Sequence, residues 1–359
     1  MKKPLKIIII VLLLVFIGLI GWKYYTDNYK EVNNKENKEV KQEKKEEPKL
    51  KIVDLESTSR PYAVMINNIN VARPLQSGLQ DAYMVYEIIV EGGITRYMAV
   101  FLDQNTERIG SIRSARHYFL DYALENDAIY VHHGQSDQAM EDFRRLSNLD
   151  RIVADEKTTG WRDKTLKVSS EHTLFTSIEK LNSGLGNKRT TRNKDLLLEY
   201  SIQSLDLQSY EGALSADKIS IPYSNYSTTS YEYDEVNKVY NRFVNKKEHV
   251  DYVTKKQYTA KNIITYKVKN YDLNDGSGKG RQGLNNIGSG EGYFISEGYA
   301  IPITWSKSSR ESQTIYKVKA TGKELVVNDG NTFIQIQPEG RTLTIEPKQE
   351  EVTTTTASE

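Results

Sequence analysis

The spacing of apolar positions changes character several times along the chain, and each change predicts a different kind of element. The first run, Ile7 to Trp22, is apolar; counted from Leu5 to Tyr25 it reaches the roughly twenty residues that cross a bilayer as a helix. From Asp27 to Leu50 apolar positions give way to Lys, Glu and Asn, which predicts a charged tether without a core. A buried strand follows at Tyr62 to Ile66. Two β-rich runs, Ala82 to Val90 and Ile94 to Leu102, flank Gly92-Gly93 and predict a hairpin. With a two-residue turn, Ile89 faces Arg96, and Glu87 and Glu91 become its diagonal neighbours.

Ile109 to Gly134 then concentrates arginines and histidines around one helix and one strand. Ser111 or Ser114 is the expected N-cap of a helix over Ala115 to Asn126. On that helix Arg113, Arg116, His117 and Leu120 fall in one stripe. Ala128 to Val131 reads as a short buried strand closing on His132-His133-Gly134, and Ser136 caps a further helix that starts at Asp137. Guanidiniums beside free N–H groups at a helix start suit a phosphate or carboxylate. The same arginines equally form structural ion pairs with acids, and both readings stand.

Beyond about residue 205 the periodicity shortens. Tyr231, Tyr233 and Val239-Tyr240 alternate, and Ile263 to Val268 reads as a buried strand. Tyr293 to Ile295, Ala300 to Trp305, Gln313 to Val318, Glu324 to Val327 and Thr332 to Gln337 are short strands between turn residues. They predict a small antiparallel sheet or barrel. The glycines between Asp275 and Gly292 lack the G-K-[ST] ending of a phosphate loop and predict a hairpin or long connection. Trp305, Lys307 and Arg310 suit a sugar-binding face, against the plainer reading of a core tryptophan.

Composition narrows the classes. The formal charge is +1 over 359 residues, so no global field recruits nucleic acid. No cysteine is present, which removes disulfides, thiol nucleophiles and cysteine metal sites. Lys2, Lys3 and Lys6 precede the first apolar run, which predicts a cytoplasmic N-terminus and an exported remainder. No A-x-A-like site follows the run, so an uncleaved anchor is expected rather than a signal peptide. Leu19-Ile20-Gly21-Trp22 has the pattern of a lipoprotein processing box with tryptophan in the place of the lipidated cysteine.

RPYAVMINN (60–68), ARPLQSGLQDAYMVYE (72–87), VEGGITRYMAVF (90–101) and IGSIRSARHYFLDYA (109–123) resemble the YerB-like family of bacterial envelope proteins. The likeness runs from about residue 60 to residue 340. Many of those proteins are lipoproteins, made of two domains of unknown function. The resemblance implies an anchored, extracytoplasmic protein of a Gram-positive bacterium, and brings no activity. Trp22 departs from the lipoprotein members and removes lipidation, not the envelope location. The resemblance also returns the loop from Trp161-Arg162-Asp163-Lys164 to Ser170-Glu171-His172-Thr173 to the first domain's arginines.

The expected architecture is therefore α+β. It comprises a transmembrane anchor (1–26), a charged flexible tether (27–52), an α/β domain with a mixed sheet (53–209), a small antiparallel β domain (219–345) and a disordered tail (346–359). Arg73, Arg96, Arg113, Arg116 and His172 are the expected ligand-binding residues, for an anionic wall polymer or lipid-linked precursor. As an alternative, an enzyme acting on a phosphorylated glycopolymer takes Asp81, Glu87 or His132 as its base; a non-catalytic assembly partner is the third class. His132, His133 and His172 with Glu87 or Asp163 lack the spacing of H-x-x-x-H or H-E-x-x-H, so no metal and no cofactor is expected. No G-x-S-x-G elbow is present.

Overall fold

The computed structural model of the protein describes residues 3–39 and 49–348. The first unit contains one helix, α1 (Lys3–Glu39). It continues through the apolar run into the Lys/Glu/Asn stretch, so the first part of the expected tether is helical. From Val11 to Trp22 its large apolar side chains are exposed. Among the described residues no helix is long and apolar enough to cross a membrane. Most of the side chains before Val11, which complete the apolar run, lie outside the described residues, as do residues 40–48 of the tether and 349–359 of the tail.

Residues 49–348 form a second unit built on one large sheet. Its strands, with those of a smaller sheet, are β1 (Tyr62–Asn67), β2 (Met84–Ile89), β3 (Thr95–Phe101), β4 (Ile129–His132), β5 (Arg151–Val153), β6 (Leu214–Ser215), β7 (Lys218–Pro222), β8 (Thr228–Asp234), β9 (Val239–Val244), β10 (Asn262–Val268), β11 (Gly288–Ser296), β12 (Tyr299–Lys307), β13 (Ile315–Val318), β14 (Thr332–Pro338) and β15 (Thr344–Glu346). The large sheet has the order β6-β12-β11-β10-β14-β2-β3-β1-β4-β5, with β13 beside β12. The smaller one has β9-β8-β7-β15, with the short strands Lys247–Glu248 and Thr259–Ala260 both paired to β9. In the large sheet, β14 lies parallel to both β2 and β10, and β4 parallel to β1 and β5.

This corrects the expectation that the later strands form a small antiparallel sheet or barrel of their own. The later strands do not close on themselves. Through β14 they continue the first region's sheet, and no break in the sheet falls at residues 205–225. The reason lies in the burial of β2 and β14, whose residues are buried on both faces. Strands of that kind need a cover on each side. Helix α2 (His117–Glu125) packs on one face, where Tyr118, Phe119 and Tyr122 meet Met65, Tyr86 and Ile88. The smaller sheet covers the other face, where Ile219, Ile221 and Tyr231 join Val64, Val85 and Phe333. The body is three-layered.

Two local expectations also change. Helix α2 starts at His117 with Arg116 as N-cap and no side-chain cap. Arg113 and Arg116 therefore lie before the helix rather than along its stripe. Helix α3 (Asp137–Arg145) does start as read, with the Ser136 side chain accepting from the Ala139 N–H. In the β2–β3 hairpin the Val90 N–H donates to Ile94 O, and Gly92 and Gly93 turn the chain at φ 68 and 70°. That longer turn shifts the register, so that Ile88 faces Arg96 and Glu87 faces Tyr97. Glu87 and Arg96 consequently point to opposite faces of the sheet.

Candidate functional site

β1 and β4 run parallel, and their carboxyl ends meet the hairpin turn and the loop before α2. Open sheets commonly hold ligands at such strand ends. Here the structure gathers Asn67, Glu91, Arg96, Arg113, Arg116, Glu171 and His172. Arg96 reaches across to donate to Ser114 O at 2.6 Å, and its other end stands 3.9 Å from Glu91. Arg116 pairs with the same Glu91. Arg113 donates to the Glu171 carboxylate at 2.7 Å and faces Glu171 O at 3.3 Å. The Asn67 amide donates to His172 Nδ1 at 3.0 Å, which leaves the proton on Nε2, 3.6 Å from Glu171.

Three guanidiniums therefore share two carboxylates. Burial lowers the Arg96 pKa to about 9; the nearby charge of Arg116 adds to this and Glu91 opposes it. Burial works to raise Glu91, but the hydrogen bond and charge of Arg116, and Arg96 beyond, hold it below its ordinary value. Arg113 holds the Glu171 carboxyl low by hydrogen bond and charge. His172 is lowered by burial first, with Glu171 opposing and Arg113 assisting. Glu171 is the most exposed member, at 54 %, and Arg113 follows at 23 %.

Arg73 does not join this group. Its guanidinium donates to Asn68 Oδ1 at 2.9 Å and Asn70 Oδ1 at 3.0 Å, beside a separate cleft of about 400 Å³ that His249 and Tyr252 also line. The three expected bases lie apart. Asp81 accepts from Thr106 at 2.8 Å. His132 is buried, stacked on Phe143 at 5.0 Å, and donates from Nδ1 to Gly134 O at 2.8 Å. Burial lowers its pKa to about 4. Glu87 is fully buried against Arg242 at 2.6 Å and accepts from Thr95 and Thr229. Because the three do not converge, they supply no common acid–base pair.

His133 donates from Nδ1 to Ala154 O at 2.7 Å, and its Nε2 faces Arg162 at 3.3 Å. Asp163 pairs with Arg108 at 3.0 Å. Among the described residues no three His, Asp or Glu side chains gather as metal ligands. The sugar-face reading of Trp305 gives way to the core. Its ring is buried against Tyr266 at 4.8 Å, Lys307 is buried on Glu125 at 2.7 Å, and Arg310 pairs with Asp121 and Asp142.

Sequence reasoning missed Arg242, His249, Gln76 and Asn67. Arg242 donates to His249 Nδ1, His249 Nε2–H donates to Gln76 Oε1, and the Gln76 amide donates to Asn67 O. Asn67 then donates to His172, so one hydrogen-bonded chain joins the Glu87–Arg242 pair to the strand-end cluster. Burial, then the charges of Arg242 and Arg73, push the His249 pKa well below its ordinary value. It stays neutral, as its acceptor role toward Arg242 requires. The available signal was alternation: Arg242 stands between Tyr240 and Val244 at the inward positions of β9.

Comparison with known proteins agrees with this layout. Residues 50–191 match the model described as "Protein of unknown function (DUF3048) N-terminal domain", and residues 219–334 match the corresponding C-terminal domain. The chain is 29% identical over 289 residues to "Putative lipoprotein YerB" of Bacillus subtilis (strain 168), covering 78% of this chain and 82% of that one. The crystal structure of the YerB protein from Bacillus subtilis superposes with a TM-score of 0.68 at 28% identity, covering 82% of this chain and 96% of that chain. With both halves matched in order and the fold shared, the chain belongs to the YerB-like family, whose two DUF3048 domains have no known function.

Proposed function

We propose that the protein is a membrane-anchored envelope protein, held outside the cytoplasm by its N-terminal apolar helix, that binds an anionic envelope ligand at the ends of β1 and β4. The anchor rests on the run Ile7 to Trp22 behind Lys2, Lys3 and Lys6, and on the lipoprotein name of its Bacillus relative. The observation that carries the binding reading is the excess of guanidinium over carboxylate at the strand ends. Arg96, Arg113 and Arg116 have Glu91 and Glu171 between them, and the most exposed pair, Arg113–Glu171, is the one a ligand anion reaches. A phosphate or carboxylate replaces Glu171 on Arg113 with charge-assisted bonds of the same kind. Binding ranks above catalysis because Asp81, Glu87 and His132 do not meet.

Titration of the full chain with inorganic pyrophosphate and with a glycerol phosphate polymer tests this. Wild type is expected to gain thermal stability with one of them. Arg113→Ala is expected to lose roughly 1.5–3 kcal/mol of binding per bond removed, while its melting temperature without ligand stays near wild type, because Glu171 is left in water rather than buried. Absence of any anion effect on wild type overturns the reading and leaves the arginines as architecture.

A further inference from the structure

A cleft of about 850 Å³ shares no residue with the strand-end cluster. Its floor is the face of the large sheet that carries Thr265, Tyr293 and Pro302 in one cross-strand row. The facing wall is aliphatic, from Leu343 and Ile345, and Leu214 stands on the edge strand of the floor sheet. At the mouth Glu291 and Lys319 pair with each other at 2.7 Å, both exposed, so the opening selects neither sign of charge. The volume falls within the roughly 300–1,000 Å³ of small-molecule sites.

One lining group carries the argument. Gln337 is fully buried; its amide N–H donates to Pro222 O at 2.9 Å, but its Oε1 is a buried acceptor with no hydrogen-bond partner. Such a group calls for a donor. The floor strands β10 and β11 are paired on both sides, so the floor itself offers an extended peptide no free backbone edge. What fits is a ligand read by side chains, with O–H or N–H donors, apolar ring faces and no net charge. We propose that this cleft binds a neutral oligosaccharide. Its ring faces lie against Tyr293 and the Leu343–Ile345 wall, and a hydroxyl or acetamido N–H meets Gln337 Oε1.

Calorimetric titration of the full chain, in a detergent without a sugar headgroup, uses a short chitin oligosaccharide and a maltooligosaccharide as probes. Wild type is expected to bind one of them with a dissociation constant of about 1 mM or tighter. Tyr293→Leu removes the aromatic ring from the floor, and Ala320→Trp fills the mouth from an exposed turn. Each is expected to weaken binding at least about tenfold, with the melting temperature of Ala320→Trp unchanged. If Tyr293→Leu fails to fold, Ala320→Trp decides alone. Wild type that binds neither probe at about 10 mM, or an Ala320→Trp variant that binds as wild type does, overturns the proposal. Neither result bears on pyrophosphate binding at the arginines.

Discussion

His132 shows how one side chain can be decided by its surroundings. Its Nδ1 proton is engaged by Gly134 O, its ring lies on Phe143, and Arg151 stands 3.5 Å from Nε2. Burial is the main cause that brings its pKa from 6.5 to about 4; Gly134 opposes this, and Arg151 and His133 assist. Between those two values the unfolded chain holds more protons than the folded one. Stability is therefore fully present above pH 6.5 and is lost as the pH falls toward 4, by roughly 3 kcal/mol at most from this group. Denaturant titrations at intervals from pH 7.5 to pH 4 should show this decline. His172 and His249, also lowered by burial, add to it. His132→Gln should show a shallower slope than wild type over the same window. Identical slopes would mean that His132 does not carry the proton uptake. A residue of this kind is ill suited to be a general base near neutral pH, because its lone pair is held beside a guanidinium.

Among elements, β14 organises the most. It lies between β2 and β10, parallel to both, with Ile334 opposite Tyr86 and Ile264. Ile334→Ala should lower stability by about 2–5 kcal/mol, whereas Val236→Ala, at an exposed turn, should change it by less than about 0.5 kcal/mol; chemical denaturation followed by circular dichroism compares them. The existence of β14, and of nearly every strand of the large sheet, was legible in sequence, because β-branched and aromatic runs bounded by turn residues carry a local signal. Ser136 as a cap was legible for the same reason. The partner of β14 was not. Met84 pairs with Thr332 across most of the chain, and nothing local marks that choice. Likewise the hairpin register depended on turn length, and one residue of shift moved Glu87 away from Arg96 to the face where Arg242 waits. The arginines of the candidate site were found by composition. Glu91 was legible as an acid neighbour of Arg96 because one hairpin carries both, and the resemblance returned the loop that holds Glu171; that Arg116 shares Glu91 was not legible, and Arg73 lies at a separate cleft.

At the scale of the molecule, the Glu87–Arg242 pair ties the two family domains together. Both side chains are fully buried, 2.6 Å apart, within a network that includes Thr95 and Thr229. Burial works against the Arg242 charge, but Tyr97, Glu87 and Tyr231 outweigh it and hold its pKa well above the ordinary value. Removing one partner leaves the other charge buried without compensation. Glu87→Gln should therefore cost roughly 3–5 kcal/mol. Where that cost appears tests whether residues 49–348 unfold as one body. Trp161 lies in the first family domain and Trp305 in the second, so Trp305→Phe and Trp161→Phe leave one body tryptophan to report each region. In each variant the fluorescence midpoint should coincide with that of circular dichroism, as a two-state transition requires. Adding Glu87→Gln should move both midpoints down together. If the substitution shifts the Trp161 transition while the Trp305 transition stays in place, the shared sheet is not a cooperative unit. The two domains would then be neighbours joined at β2 and β14 rather than halves of one fold.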